Sequence, residues 1–314
     1  MLCIGMVHLL RAQSAYFPEK MIVTADHLSV YAAPQPAAKV IETLKKGAVM
    51  TTKGVHQKGE LAEVNGQFAP WYAVTSPSGK NGYVFGADVT GDYNLHFEGE
   101  IVTGDLPELH WYGVFRRDSF SDELREVKVS VATAPSDFYG EMINVLKTDQ
   151  RDTSKFLIAT LEPLTEGYAG PLGITDSPGW FFDGELTPGA MLPVSAGQPD
   201  NDTIFGNTWY LVATGCAALK ENFVEITGYQ LQLMEMLPET NHLQDMTPWI
   251  ACEPGLNPVV QLLWYGDIDH DKKPDLVIHD CPFEMGCRTS LFLSSKAIKG
   301  ALTQKVCEHF WHGD

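Results

Sequence analysis

Basic side chains are scarce in this chain: 22 Lys and Arg stand against 40 Asp and Glu over 314 residues, a formal charge of −18. That balance argues against a nucleic-acid partner, because phosphate contacts need clustered Lys and Arg. It equally disfavours docking on an anionic lipid surface. Cysteine is sparse as well, with six at positions 3, 216, 252, 281, 287 and 307, too few to be the main staple of so long a chain. No stretch reaches the roughly 20 apolar residues that a membrane-crossing helix needs, so no transmembrane segment is expected. Regular helical periodicity is rare, and familiar catalytic signatures are missing: no G-x-S-x-G, no H-E-x-x-H and no phosphate-cradling glycine loop.

What is present is punctuation and strand. Glycine (28) and proline (19) together make up about 15% of residues, with 44% hydrophobic and 20% charged, a globular composition that favours a turn-rich, mainly β protein. Domains of about 150 residues would make two. Charge divides the chain the same way. Residues 21–90 hold six lysines against five acids, whereas 91–314 hold 14 basic and 34 acidic side chains, a net of −20. The step, with a turn at Gly91-Asp92-Tyr93-Asn94, places a boundary near 90–100. Ahead of both parts, residues 1–10 (MLCIGMVHLL) are apolar apart from His8, followed by Arg11 and Ala12-Gln13-Ser14-Ala15. Residues 1–20 therefore read as a secretory leader lacking its basic n-region, cleaved after Ser14 or Ala15, and the protein as exported to the periplasm or cell envelope.

The first part alternates in short runs: His27-Leu28-Ser29-Val30-Tyr31, Val40-Ile41-Glu42-Thr43-Leu44, Trp71-Tyr72-Ala73-Val74 and Tyr83-Val84-Phe85, separated by Pro34-Gln35-Pro36, Lys45-Lys46-Gly47 and the 76–82 turn. About five short strands in seventy residues suggest a small barrel. Here LSVYAAPQPAAKVIETLKKGAVM followed by WYAVTSPSGKNGYVFGADV resembles the bacterial SH3 (SH3b) family over residues 21–92. The family pattern's first-loop Arg and Gly are Tyr31 and Ala33 here, and the segment between Thr52 and Ala69 is longer than it requires. The resemblance implies a non-catalytic barrel that binds peptide or peptidoglycan-like ligands in exported proteins. Tyr31, Trp71 and Tyr83 are candidates to line a ligand groove, or equally to fill the barrel interior.

The acidic part, 95–314, reads as strand after strand without a 20–50-residue repeat, which points to an antiparallel, sandwich-like domain. Its sharpest feature is Gly266-Asp267-Ile268-Asp269-His270-Asp271-Lys272-Lys273-Pro274-Asp275-Leu276, with strand-like runs on both sides. Carboxylates at loop positions 1, 3, 5 and 9 allow Asp267, Asp269, Asp271 and Asp275, with the Lys273 carbonyl, to form an oxygen shell for a hard cation such as Ca²⁺. The loop 267–275 resembles the calcium loops of integrin-like FG-GAP repeats more than an EF-hand, which would need an acid where Ile278 stands. The resemblance implies a structural Ca²⁺. Lys272 stands where the pattern has a glycine of positive φ, so the alternative is a metal-free turn held by Lys272 and Lys273.

Other constellations are weaker. Cys281 and Cys287 bracket a short Pro/Gly loop and are either bridged or free. His279, Cys281, Cys287, Cys307, His309 and His312 have spacings that fit a structural zinc site poorly. Cys216 comes nearest to a peptidase nucleophile but opens no helical pattern. The expectation is a non-enzymatic exported binding protein with a structural Ca²⁺ loop. Its rivals are a cell-wall peptide hydrolase and a purely structural protein of unknown ligand.

Overall fold

The computed structural model describes residues 18–56, 62–102, 106–119, 121–136, 141–171, 185–194, 208–220, 223–237, 239–250, 259–281 and 287–311. Residues 1–17 of the leader-like segment 1–20, Cys252 and His312 lie outside them, and Lys20, at that segment's end, already belongs to the first strand. Among the described residues the fold is antiparallel β throughout, relieved only by the 3-10 turns Gly86–Asp88 and Thr247–Trp249. No helix is long and apolar enough to cross a membrane among these residues.

The first unit comprises β1 (Lys20–Val23), β2 (His27–Tyr31), β3 (Val40–Lys45), β4 (Val49–His56), β5 (Ala62–Val64), β6 (Gln67–Ala69), β7 (Trp71–Thr75), β8 (Asn81–Phe85) and β9 (Val89–Gly91). All but the β5–β6 hairpin join one sheet of order β3-β2-β8-β7-β4-β1-β9. Period-two patterning turns Leu28 and Val30 of β2 and Val74 of β7 inward. They meet Leu44, Met50, Val84 and Met21 in one cluster. Residues from β3 and β1, far apart in the sheet order, share this interior, so the sheet curls around it. The long segment after Thr52 folds into β5–β6, whose Ala62 and Val64 pack on a satellite cluster of Ala69, Trp71 and Phe85.

Asp92 is where pairing changes partners. β9 still pairs with β1, whereas β10 (Tyr93–His96) pairs with β15 of the next sheet. That second sheet contains β11 (His110–Arg116), β12 (Ser121–Glu126), β15 (Phe156–Thr160) and β16 (Gly167–Pro171), in the order β10-β15-β11-β12-β16. A separate hairpin, β13 (Val129–Pro135) with β14 (Met142–Thr148), covers one face of it. Residues 126–131 alternate like one strand but divide between two sheets. Glu126 pairs with Tyr112, Val129 pairs with Thr148, and Val127 between them packs with Trp111 and Phe115.

The remaining strands are β17 (Met191–Val194), β18 (Thr208–Lys220), β19 (Phe223–Met236), β20 (Asn241–Asp245), β21 (Val259–Gly266), β22 (Asp275–Cys281), β23 (Cys287–Leu293) and β24 (Gln304–Trp311). They form two sheets in simple meander order, β17-β18-β19-β20 and β21-β22-β23-β24. The 304–311 segment, amphipathic in sequence, is thus an edge strand. The β21–β24 sheet is buried on both faces. Leu276, Ile278 and Phe292 face a cluster with Leu211, Leu231 and Leu233 of β18 and β19. Val277, Leu291 and Leu293 face a cluster with Val114, Phe156 and Ile158 of β11 and β15. This central position accounts for the unbroken apolar runs at 276–278 and 291–293, where a one-sided sheet would alternate. The acidic part is therefore a stack of sheets, one layer deeper than a simple sandwich.

Candidate metal centre

The loop 267–275 joins β21, at the edge of the doubly covered sheet, to β22 beside it. A bulge between Leu262 and Trp264 reverses the facing of β21, so that Leu262 and Trp264 enter opposite clusters. At the end of β21, Gly266 lies against Gly170 of β16: a Cβ on Gly266 would stand 2.1 Å from the Ala169 carbonyl oxygen. Only glycine permits that approach, and it allows Asp267 N to donate to the Ala169 oxygen at 2.5 Å.

Within the loop, backbone amides fold onto the carboxylates. Asp267 Oδ1 accepts from Asp271 N and its Oδ2 from Lys272 N, both at 2.9 Å. Asp275 Oδ2 accepts from Ile268 N at 2.8 Å, and its Oδ1 from Ser294 N at 2.9 Å. Ser295 Oγ donates to Asp269 Oδ2. Asp269 Oδ1, by contrast, is buried and has no hydrogen-bond partner among the described residues. Asp267, Asp269 and Asp275 each present an oxygen within 4.8 Å of the others.

Asp271 stands apart from this trio. Its carboxylate receives Ser294 Oγ at 2.8 and 2.9 Å and Lys273 N at 2.9 Å, so it braces the loop against the turn after β23. Lys273 itself is exposed. Three of the four sequence-identified carboxylates are therefore brought together. Neither Lys272 nor Lys273 forms an ion pair with them among the described residues. His270 and Lys272 adopt φ of 62° and 68°, the left-handed region usually left to glycine.

Electrostatics in the metal-free loop are unfavourable. Asp275 is fully buried, and burial, then the Asp269 charge, holds its carboxyl well above the usual carboxylate range. Burial also raises Asp267 and Asp269, with the neighbouring Asp charges adding to it. Two ionised carboxylates at such separations repel by about 3–4 kcal/mol at an effective dielectric near 20. A divalent cation among the three carboxylates would add an attraction to each that outweighs their mutual repulsion. The oxygen-only donor set suits Ca²⁺ or another hard ion rather than Zn²⁺.

In the first unit, Tyr31, Trp71 and Tyr83 also come together. Tyr31 and Trp71 rings meet edge-on with centroids 5.5 Å apart, and Tyr31 pairs with Tyr83 across β2 and β8. Trp71 is only 5% exposed beneath the β5–β6 hairpin; Tyr31 and Tyr83 are half-buried at its edge. Cys216 is exposed in the middle of β18, opposite Thr227. Cys281 and Cys287 form a disulfide between β22 and β23. The chain matches no family model, no curated protein and no solved structure.

The serine pair Ser294-Ser295, which closes the loop from the far side of β23, carries no sequence signal tying it to residues 267–275. It lies 19 to 26 positions away from the carboxylates it serves.

Proposed function

We propose that this chain is a non-enzymatic, exported binding protein whose acidic part is stabilised by one Ca²⁺ in the loop 267–275. The observation that carries the reading is the convergence of Asp267, Asp269 and Asp275, with Asp269 Oδ1 buried and unpartnered. A carboxylate oxygen in that state costs folding free energy unless a cation meets it. The loop joins two strands of a sheet packed on both faces, so the ion's role is structural. The ligand-binding role falls to the first unit, on the resemblance of residues 21–92 to SH3b domains. Its curled sheet and its clustered Tyr31, Trp71 and Tyr83 are compatible with that resemblance. Burial leaves Tyr31 and Tyr83, rather than Trp71, to meet a peptide or peptidoglycan-like ligand.

Two experiments test the two halves. Calorimetric titration of EDTA-stripped protein should show one Ca²⁺ per chain, lost in Asp269→Asn; no saturable Ca²⁺ uptake in the wild type removes the metal assignment. Pull-down of the full chain on peptidoglycan should weaken about tenfold when Tyr31 and Tyr83 are both changed to Ala. Equal retention of the wild type and the variant would remove the proposed groove.

A further inference from the structure

A second cluster of metal-ligating side chains lies away from the aspartate loop, where β10 meets β24. His96 ends β10 and Glu100 follows four residues later, across a tight turn in which Glu100 N donates to the Phe97 oxygen at 3.2 Å and Gly99 takes φ 87°. His309, some two hundred residues on in sequence, reaches the same point from β24. His96 Nδ1 lies 2.5 Å from Glu100 Oε1, and His309 Nδ1 lies 3.5 Å from Glu100 Oε2. All three ligand atoms fall within 4.8 Å of one another.

Each donor is held by its own support. The His96 ring lies against Trp111 with centroids 4.9 Å apart, and the His309 ring meets Phe97 edge-on at 5.3 Å. Phe97 N donates to Glu100 Oε2 at 2.8 Å, which fixes the carboxylate. The neighbouring Glu98 ties the same turn down by accepting from Ser154 N at 2.9 Å. The turn and the strand therefore present two ring nitrogens and a carboxylate inward on rigid mounts.

We propose that His96, Glu100 and His309 form a binding site for a transition-metal dication of the Zn²⁺ class, with Nδ1 of both histidines and the Glu100 carboxylate as ligands. A tetrahedral ion with bonds of about 2.0–2.1 Å sets its ligands about 3.3 Å apart. His96 Nδ1 and Glu100 Oε1, 2.5 Å apart, share a hydrogen bond whose proton an ion would displace, the two atoms then moving apart by about 0.8 Å. The 3.5 Å separation of His309 Nδ1 from Glu100 Oε2 is long for a hydrogen bond but fits two ligands of one ion. The donor set of two imidazoles and one carboxylate suits Zn²⁺, Cu²⁺ or Ni²⁺ and is poor for Ca²⁺. Side-chain exposures of 23% at His96, 11% at Glu100 and 18% at His309 leave the three ligands in reach of solvent, from which a fourth ligand would come. Such an ion would staple the turn after β10 to β24, joining two sheets. The site stands independently of the aspartate loop, whose ligands are all oxygen.

The test is Zn²⁺ titration of EDTA-stripped full-length protein against a competing chelator. Wild-type protein should take up one Zn²⁺ that is weakened at least 100-fold in His309→Phe and in Glu100→Gln, and unchanged in Asp269→Asn. The Phe ring keeps the packing on Phe97, and the Gln carbonyl can still accept from Phe97 N. Absence of saturable Zn²⁺ uptake, or wild-type affinity in both variants, overturns the proposal. Should a variant not fold, pulsed EPR of the Cu²⁺-loaded wild type decides: two coordinated imidazoles support the site, and fewer than two overturn it.

Discussion

Lys272 shows what a single residue does to the aspartate loop. Its φ of 68° is costly for a side chain with a Cβ, by roughly 1–2 kcal/mol. Glycine would remove that strain but enlarge the unfolded ensemble, at about 0.4–1 kcal/mol. Lys272→Gly should therefore raise stability modestly, by about 0.5 kcal/mol in urea denaturation; a clear loss would show that the lysine side chain holds the turn. His279 is the residue whose charge state matters near neutrality. Burial lowers its pKa below 6.5, against the opposing Asp280 charge, while its Nδ1 meets Thr289 Oγ1 at 2.9 Å. The unfolded chain then binds the proton more readily than the fold does. The stability that neutral His279 contributes is present above about pH 6.5 and is lost as the pH falls through the lower folded value. Wild type should accordingly lose more stability between pH 7 and pH 5 than His279→Gln does, as read by thermal melts at each pH. Parallel curves would contradict this.

At the scale of elements, much was legible and the reasons are local. Alternation at His27–Tyr31 and the proline and glycine breaks around Val40–Lys45 mark strands wherever one face is wet. The runs at 276–278 and 291–293 mark strands for the opposite reason, because both faces are covered. Pairing was not legible. Residues 126–131 keep one period through a change of sheet, since alternation reports which side is buried and not which neighbour buries it. The aspartates were legible by spacing, but the exclusion of Asp271 from the trio depends on Ser294, which a distant turn supplies. His96 and His309 are joined only by β10 packing near β24, which no sequence interval encodes. Gly266 is the element-scale test of how the loop is seated. Its missing side chain lets β21 approach β16 through backbone atoms that cannot yield. Gly266→Ala should cost about 2–3 kcal/mol in urea denaturation and weaken Ca²⁺ uptake with it; a loss under 0.5 kcal/mol would mean that the two strands can separate freely.

Across the whole molecule, the formal charge of −18 divides at Asp92, where β9 belongs to the first sheet and β10 to the second. The acidic part places a sheet between two others, and the aspartate loop is an extension of that middle layer. An ion there would be felt by both hydrophobic clusters at once, so its effect should appear in the cooperative melting of the acidic part as a whole. The most direct measurement is the melting temperature of EDTA-stripped protein against Ca²⁺ at pH 7, for the wild type and Asp269→Asn. Wild-type protein should gain about 2.7 kcal/mol once Ca²⁺ reaches a hundred times its dissociation constant. Asp269→Asn should be about 1 kcal/mol more stable than the wild type without Ca²⁺, having lost one of three mutually repelling carboxylate charges, and should gain nothing on adding it. A wild-type melting temperature indifferent to millimolar Ca²⁺, or an equal upward shift in the variant, would contradict the calcium loop.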